Sequence, residues 1–174
     1  MLTDLDDRKT DFVFSNTKEL AVGSKSNKIM QDAIKLMSGD EINRIYEKLE
    51  YDIVPISATK HGAYTIQTLL NYSTNNSHKK IISKYFAKEG EFLLSHEIGN
   101  YTFQKIISFD NKLACNFFLS NFQDVVKSEL GLKVFKRCLE HLDEYKNDIF
   151  NKVNEYKELD MNVYTQLKQI LKNL

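Results

Sequence analysis

The strongest constraint on what this chain can fold into is that it repeats itself. Gly99-Asn100-Tyr101-Thr102-Phe103-Gln104-Lys105-Ile106-Ile107 has a near copy upstream in Gly62-Ala63-Tyr64-Thr65-Ile66-Gln67-Thr68-Leu69-Leu70. Each carries a Gly, a small or amide residue, a Tyr, a Gln three residues after the Tyr, and an apolar pair beginning two residues later. Ser26-Asn27-Lys28-Ile29-Met30-Gln31 has the same layout with Ser for Gly, and Gly131-Leu132-Lys133-Val134-Phe135-Lys136 keeps the Gly and loses the Gln. A fainter fifth copy stands at Met161-Asn162-Val163-Tyr164-Thr165-Gln166. From copy to copy the Gln position advances by 36, 37 and then 32 residues. A period in the mid-thirties with helical character is the signature of a helical solenoid.

The motif gives one helix two surfaces. Asn100, Tyr101 and Gln104 are three and four residues apart, so their side chains share a face. Phe103, Ile106 and Ile107 lie toward the other side and read as the core stripe. The polar face thus holds two amides, each a donor and an acceptor suited to a base edge. Its phenol ring is one on which a base can stack.

These residues resemble the Pumilio (PUF) RNA-binding repeat family. In that family each repeat has three helices, and the second carries a five-residue reader with edge-contacting residues at positions one and five and a stacking residue at position two. Asn100, Tyr101 and Gln104 match all three positions, and Tyr64 and Gln67 match two, with Ala63 at the first. Asn27 and Gln31 match both edges, with Lys28 at the stacking position. Leu132 and Lys136 match neither edge, and Lys133 replaces the stacker. The resemblance implies an all-α fold, a right-handed α-α superhelix of the PUF or armadillo-like solenoid type. About four repeats would span residues 13–156, between an N-terminal tail or cap at 1–12 and a capping helix or partial repeat at 157–174. It implies binding of single-stranded RNA on the concave face, in post-transcriptional regulation of mRNA in the cytoplasm, with regulatory proteins as partners on the convex face. Asn100 with Gln104, and Asn27 with Gln31, would read uracil. Ala63 with Gln67 would be loose, leaning to adenine. RNA running antiparallel to the chain makes the expected target a U/A-rich element, U-(A or any)-U.

The bulk numbers fit such a chain. Its 174 residues can form one repeat array with a continuous core. Six Gly and one Pro are too few for the turns of an all-β fold. No apolar run has the length of a membrane span, and the acidic start lacks the basic region of a signal peptide. Net charge is zero, unusual for a protein that meets phosphates, but its distribution is uneven. The four reader stretches hold Lys25, Lys28, Lys35, Lys60, Lys105, Lys133, Lys136 and Arg137 against only Asp32 and Glu140. Lys133, Lys136 and Arg137 read as phosphate contacts or as a solvated basic face.

No catalytic constellation, phosphate loop or nucleophile elbow is present, so no enzyme and no cofactor is expected. His61, His78, His96, His141, Cys115 and Cys138 lack metal-ligand spacing. Two cysteines are no disulfide framework, which points to a reducing compartment. Two other functions stay open. One is a ribosome-biogenesis type of PUF-like protein, nucleolar, holding structured RNA by charge. The other is a protein-interaction solenoid.

Within each repeat the helices follow from caps and stripes. Pro55 suits the first turn of a short helix. Residues 73–77 are the most loop-like stretch, and Gly90 reads as the break before the short helix carrying Phe92, Leu93 and Leu94.

Overall fold

The computed structural model describes residues 5–73, 76–156 and 160–173, and no strand occurs among them. The chain divides into two compact units, one ending at Lys105 and one beginning at Ile106.

In the first unit α1 (Asp7–Ser15) and α2 (Thr17–Val22) lead into α3 (Ser26–Leu36), which carries the first reader motif. Helix α4 (Gly39–Leu49) starts from a capping box: Ser38 Oγ accepts from the Glu41 N–H while the Glu41 carboxylate accepts from the Ser38 N–H. Its stripe Ile42, Ile45, Tyr46 and Leu49 is buried. The short α5 (Ile53–Ser57) holds Pro55 in its first turn, where the missing N–H costs nothing, and α6 (Gly62–Asn71) carries the second motif. After α7 (Asn76–Ser95), α8 (Gly99–Phe109) carries the third.

Two expectations from sequence change here. Gly90 breaks nothing: α7 runs unbroken for 20 residues, joining the last helix of one repeat to the short first helix of the next. The buried stripe Ile82, Phe86, Leu93 and Leu94 continues across Gly90, itself buried. The roughly 1 kcal/mol that Gly costs in a helix relative to Ala is outweighed by that burial. Of the loop-like stretch, Thr74 and Asn75 lie outside the described residues, and Asn76 and Ser77 are already helical.

The motif glycine is explained by close packing. A Cβ on Gly62 would stand 2.4 Å from the Ile56 carbonyl oxygen, a backbone atom of α5. On Gly131 it would stand 2.7 Å from the Val125 carbonyl. In the first copy Ser26 uses the contact instead: its hydroxyl donates toward the carbonyls of Glu19 and Leu20. Thr59 Oγ1 then accepts from the Gly62 N–H at 3.1 Å, and Ser128 Oγ from that of Gly131 at 3.1 Å. Gly→Ala inside a helix ordinarily stabilises. Gly62→Ala is expected to destabilise by about 1–3 kcal/mol, because backbone must move. Urea unfolding followed by circular dichroism measures the sign.

Repeats stack through the two residues that follow the stacking position. Thr65 is fully buried and donates to the Ala21 carbonyl at 2.9 Å. Phe103 is fully buried with its ring 5.1 Å from Phe86.

The second unit contains α9 (Asn111–Ser120), α10 (Phe122–Lys127), α11 (Glu129–Leu139), a 3-10 turn (Asp143–Tyr145), α12 (Lys146–Glu155) and α13 (Met161–Asn173). Phe118, Phe122 and Phe135 form its aromatic core, with ring separations from Phe135 of 4.8 and 6.0 Å. Leu167 and Leu171 bury the inner stripe of α13, and Leu174 lies outside the described residues.

Cys115 and Cys138 sit in this core as free thiols. Burial pushes them up to about 11 and about 12, so neither is a thiolate at neutral pH. Both are expected to resist iodoacetamide at pH 8 in the folded protein and to react on unfolding. Mass spectrometry of the alkylated chain counts them.

Candidate nucleic-acid interface

Helices α6 and α8 present their tyrosines outward. Tyr64 is 59% and Tyr101 56% exposed, although the residues on either side of each are buried. Between them opens a cleft of about 280 Å³ lined by Lys60, Ala63, Tyr64, Gln67, Ile98 and Tyr101. The helical register explains this: the stripe that buries Ile66, Leu69 and Leu70 turns Tyr64 away from the core. The cleft therefore has two aromatic walls, an apolar floor from Ala63 and Ile98, an amide from Gln67 and a cation from Lys60. Lys60 and Ile98 were not singled out as contacts by the motif. Lys60 stands one turn before Ala63 and was counted with the basic residues of the reader stretches, and those are the signals that point to it.

The Asn–Gln pairs are bonded units. In α8 Asn100 Nδ2 donates to the carbonyls of His96 at 2.9 Å and Glu97 at 2.8 Å, and Asn100 Oδ1 accepts from Gln104 Nε2 at 2.9 Å. In α3 Asn27 Nδ2 donates to Gly23 O at 2.7 Å and Ser24 O at 3.0 Å, and its Oδ1 accepts from Gln31 Nε2 at 2.9 Å. Both asparagines are buried, at 4% and 7% exposure, whereas both glutamines are half-buried. The sequence placed both amides on one open polar face; the structure leaves mainly the glutamine there. The backbone carbonyls before each helix hold the asparagine in.

Lys28 stands exposed at the stacking position of α3, and its ammonium lies 3.5 Å from the Asp32 carboxylate. Asp32 is shared with Lys35 at 3.0 Å, and the hydrogen bond from Lys35 holds its carboxyl below the usual range.

On α11 in the second unit, Lys133 and Arg137 are exposed, while Lys136 donates to Gln166 Oε1. Gln166 Nε2 in turn donates to Asn162 Oδ1 at 3.1 Å, so the faint fifth copy on α13 forms the same amide pair. The structure thus gathers Ala63, Tyr64, Gln67 and Tyr101 around one cleft, and couples Asn27 to Gln31 and Asn100 to Gln104. Lys133, Lys136 and Arg137 share one helix of the second unit.

No protein-family model matches the chain. Pumilio homolog 11 of Arabidopsis thaliana is 24% identical over 131 residues, which are 73% of this chain and 23% of that protein. A Puf4 mutant bound to the Cox17 RNA 3′ UTR recognition sequence superposes with a TM-score of 0.77 at 19% identity, covering 96% of this chain and 60% of that one. The PUM-HD domain of S. pombe Puf1 in complex with RNA gives 0.75 at 16% identity, covering 95% and 47%. The RNA-binding domain of yeast Puf5p bound to AAT2 RNA gives 0.67 at 16% identity, covering 96% and 55%. The chain thus spans less than two thirds of each of these proteins. The resemblance carried by the reader motifs is matched in sequence by a Pumilio homolog, and the chain has the helical-repeat fold of Pumilio (PUF) domains.

Proposed function

We propose that this chain binds single-stranded RNA and reads it one base per repeat, as a binding protein and not as an enzyme. The observation that carries the proposal is the pair of outward tyrosines, Tyr64 and Tyr101, flanking a cleft with Gln67 and Lys60 on its rim. Exposed rings beside amides give a stacking platform with an edge reader, the way unpaired bases are recognised. The RNA-bound state of the similarly folded Puf4, Puf1 and Puf5p domains supports the same reading. Uracil is the base proposed for the Asn27–Gln31 and Asn100–Gln104 repeats, with a looser site at Ala63–Gln67 between them. Lys133 and Arg137 contribute contacts to phosphates. The setting proposed is control of mRNA in the cytoplasm, alongside regulatory proteins.

Fluorescence titration of a UAU-containing RNA and its scrambled counterpart tests this. Preference for the first, lost in Asn100→Ala/Gln104→Ala, is the expected result. Equal binding of both with a steep salt slope would instead indicate charge-driven binding of RNA. Binding of neither would remove RNA from the function.

A further inference from the structure

We infer that Lys60 is a specificity-determining residue of the middle repeat, and that its ammonium makes this repeat select a base with carbonyl acceptors, guanine above all, over adenine. The inference rests on the RNA-binding reading above and adds to it a reader outside the five-residue motif.

Position, space and availability carry it. Ala63 donates its N–H to the Thr59 carbonyl at 3.0 Å, so the helical turn that opens α6 already includes Lys60. Lys60 lines the same cleft as Ala63, Gln67 and both tyrosine rings. Where α3 and α8 fill the first reader position with an asparagine, α6 has only the methyl group of Ala63. Besides the two phenols, Lys60 and Gln67 are therefore the polar side chains of the cleft. Lys28 is tied to Asp32, and Lys136 donates to Gln166. Lys60 is exposed, and its ammonium has no ion pair or hydrogen bond among the described residues.

The sequence shows the same exchange. Three residues before the first reader position stand Ser24 in the first copy, Lys60 in the second and Glu97 in the third. All three copies keep the glutamine, and the one that lacks the asparagine is the one that has the cation.

The chemistry follows from what an ammonium can do. It has three N–H donors and no acceptor. It suits a base edge on which acceptors stand side by side. Guanine has O6 beside N7, an edge that Arg and Lys read in duplexes as well. Adenine has its N6 amine where guanine has O6, so the ammonium meets a donor, and two opposed donors discriminate. Family resemblance alone gives Ala63 with Gln67 a leaning to adenine; Lys60 reverses it. Between the pyrimidines the same rule favours uracil, whose O4 stands where cytosine has its amine. Stacking on Tyr64 and Tyr101 holds any base, so the choice falls to the polar groups at the rim.

The experiment is a titration of four RNAs, U-N-U with each base in the middle, by the intact chain, Lys60→Met and Lys60→Glu. Lys60 is exposed, so both variants are expected to fold, which circular dichroism checks. The intact chain is expected to bind the guanine RNA about tenfold more tightly than the adenine one, within the range of a good bidentate pair. Lys60→Met keeps most of the stem and removes the donors, and is expected to bring that ratio to within about twofold. Lys60→Glu puts an acceptor there and is expected to favour adenine. The preference for uracil at the base facing α8 is expected to persist in both. Equal weakening of all four RNAs in Lys60→Met, with a shallower salt dependence, would make Lys60 a phosphate contact and overturn the inference. So would a guanine-to-adenine ratio that neither variant changes. An intact chain that binds all four alike leaves the RNA reading standing and sinks this inference alone. One that binds none sinks both.

Discussion

Tyr64→Ala/Tyr101→Ala is expected to lower affinity for the RNA by at least about 30-fold, while leaving the fold in place. Base–aromatic stacking is worth about 1–3 kcal/mol per base, and each tyrosine walls one side of the same cleft. Both rings are more than half exposed, so removing them takes little from the core, and thermal unfolding is expected to change by no more than about 0.5 kcal/mol. Titration beside a melting curve separates the two quantities. A variant that unfolds at the same temperature and binds as well as the parent would take the rings out of recognition, and with them the central support for RNA binding. Tyr64→Phe/Tyr101→Phe keeps the stacking faces and is expected to retain most of the affinity.

Phe103→Ala is expected to cost about 3–5 kcal/mol of stability, the largest effect of any single change considered. The side chain sits on the inner side of α8, fully buried, with Phe86 of α7 5.1 Å away. Truncation removes the transfer energy of a whole ring and leaves a cavity between two helices that cannot easily close. The melting temperature is expected to fall by about 10 °C. Phe12→Ala is a useful control: that ring is 55% exposed, and its loss is expected to cost less than about 1 kcal/mol. Since Phe103 and Tyr101 are two residues apart on the same motif, the pair separates what the repeat does for the fold from what it does for the ligand.

Much of this was legible in the chain because two different forces wrote the same period. Stacked repeats demand a buried stripe, which put Ile66, Leu69 and Leu70 in phase with Phe103, Ile106 and Ile107. Close packing at the start of the reader helix demands a glycine, against a carbonyl at Gly62 and Gly131 and against the Leu93 side chain at Gly99. Tyr64 and Tyr101 stood out because they share a phase that the core does not use. The rest was written in pairings that no period reveals. Gly90 looked like punctuation, and only the burial of Phe86 and Leu93 on either side of it carries the helix through. Lys28 was legible only as the residue at the stacking position, and its ion pair with Asp32, one turn on, depends on where the two side chains point. Asn100 looked like an open amide, because nothing in the sequence says that two carbonyls of the preceding turn point at its nitrogen. The Lys136–Gln166 bond joins residues 30 positions apart, and local spacing is silent about such contacts.

The unbroken α7 has a mechanical consequence. In an array of separate repeats, each module can melt or flex against its neighbour at the joint between them, and stability is a sum of local terms and couplings. Here a single 20-residue rod belongs to two adjacent modules. To part α6 from the start of α8, α7 itself would have to unwind, so the link between Tyr64 and Tyr101 is a strut instead of a hinge.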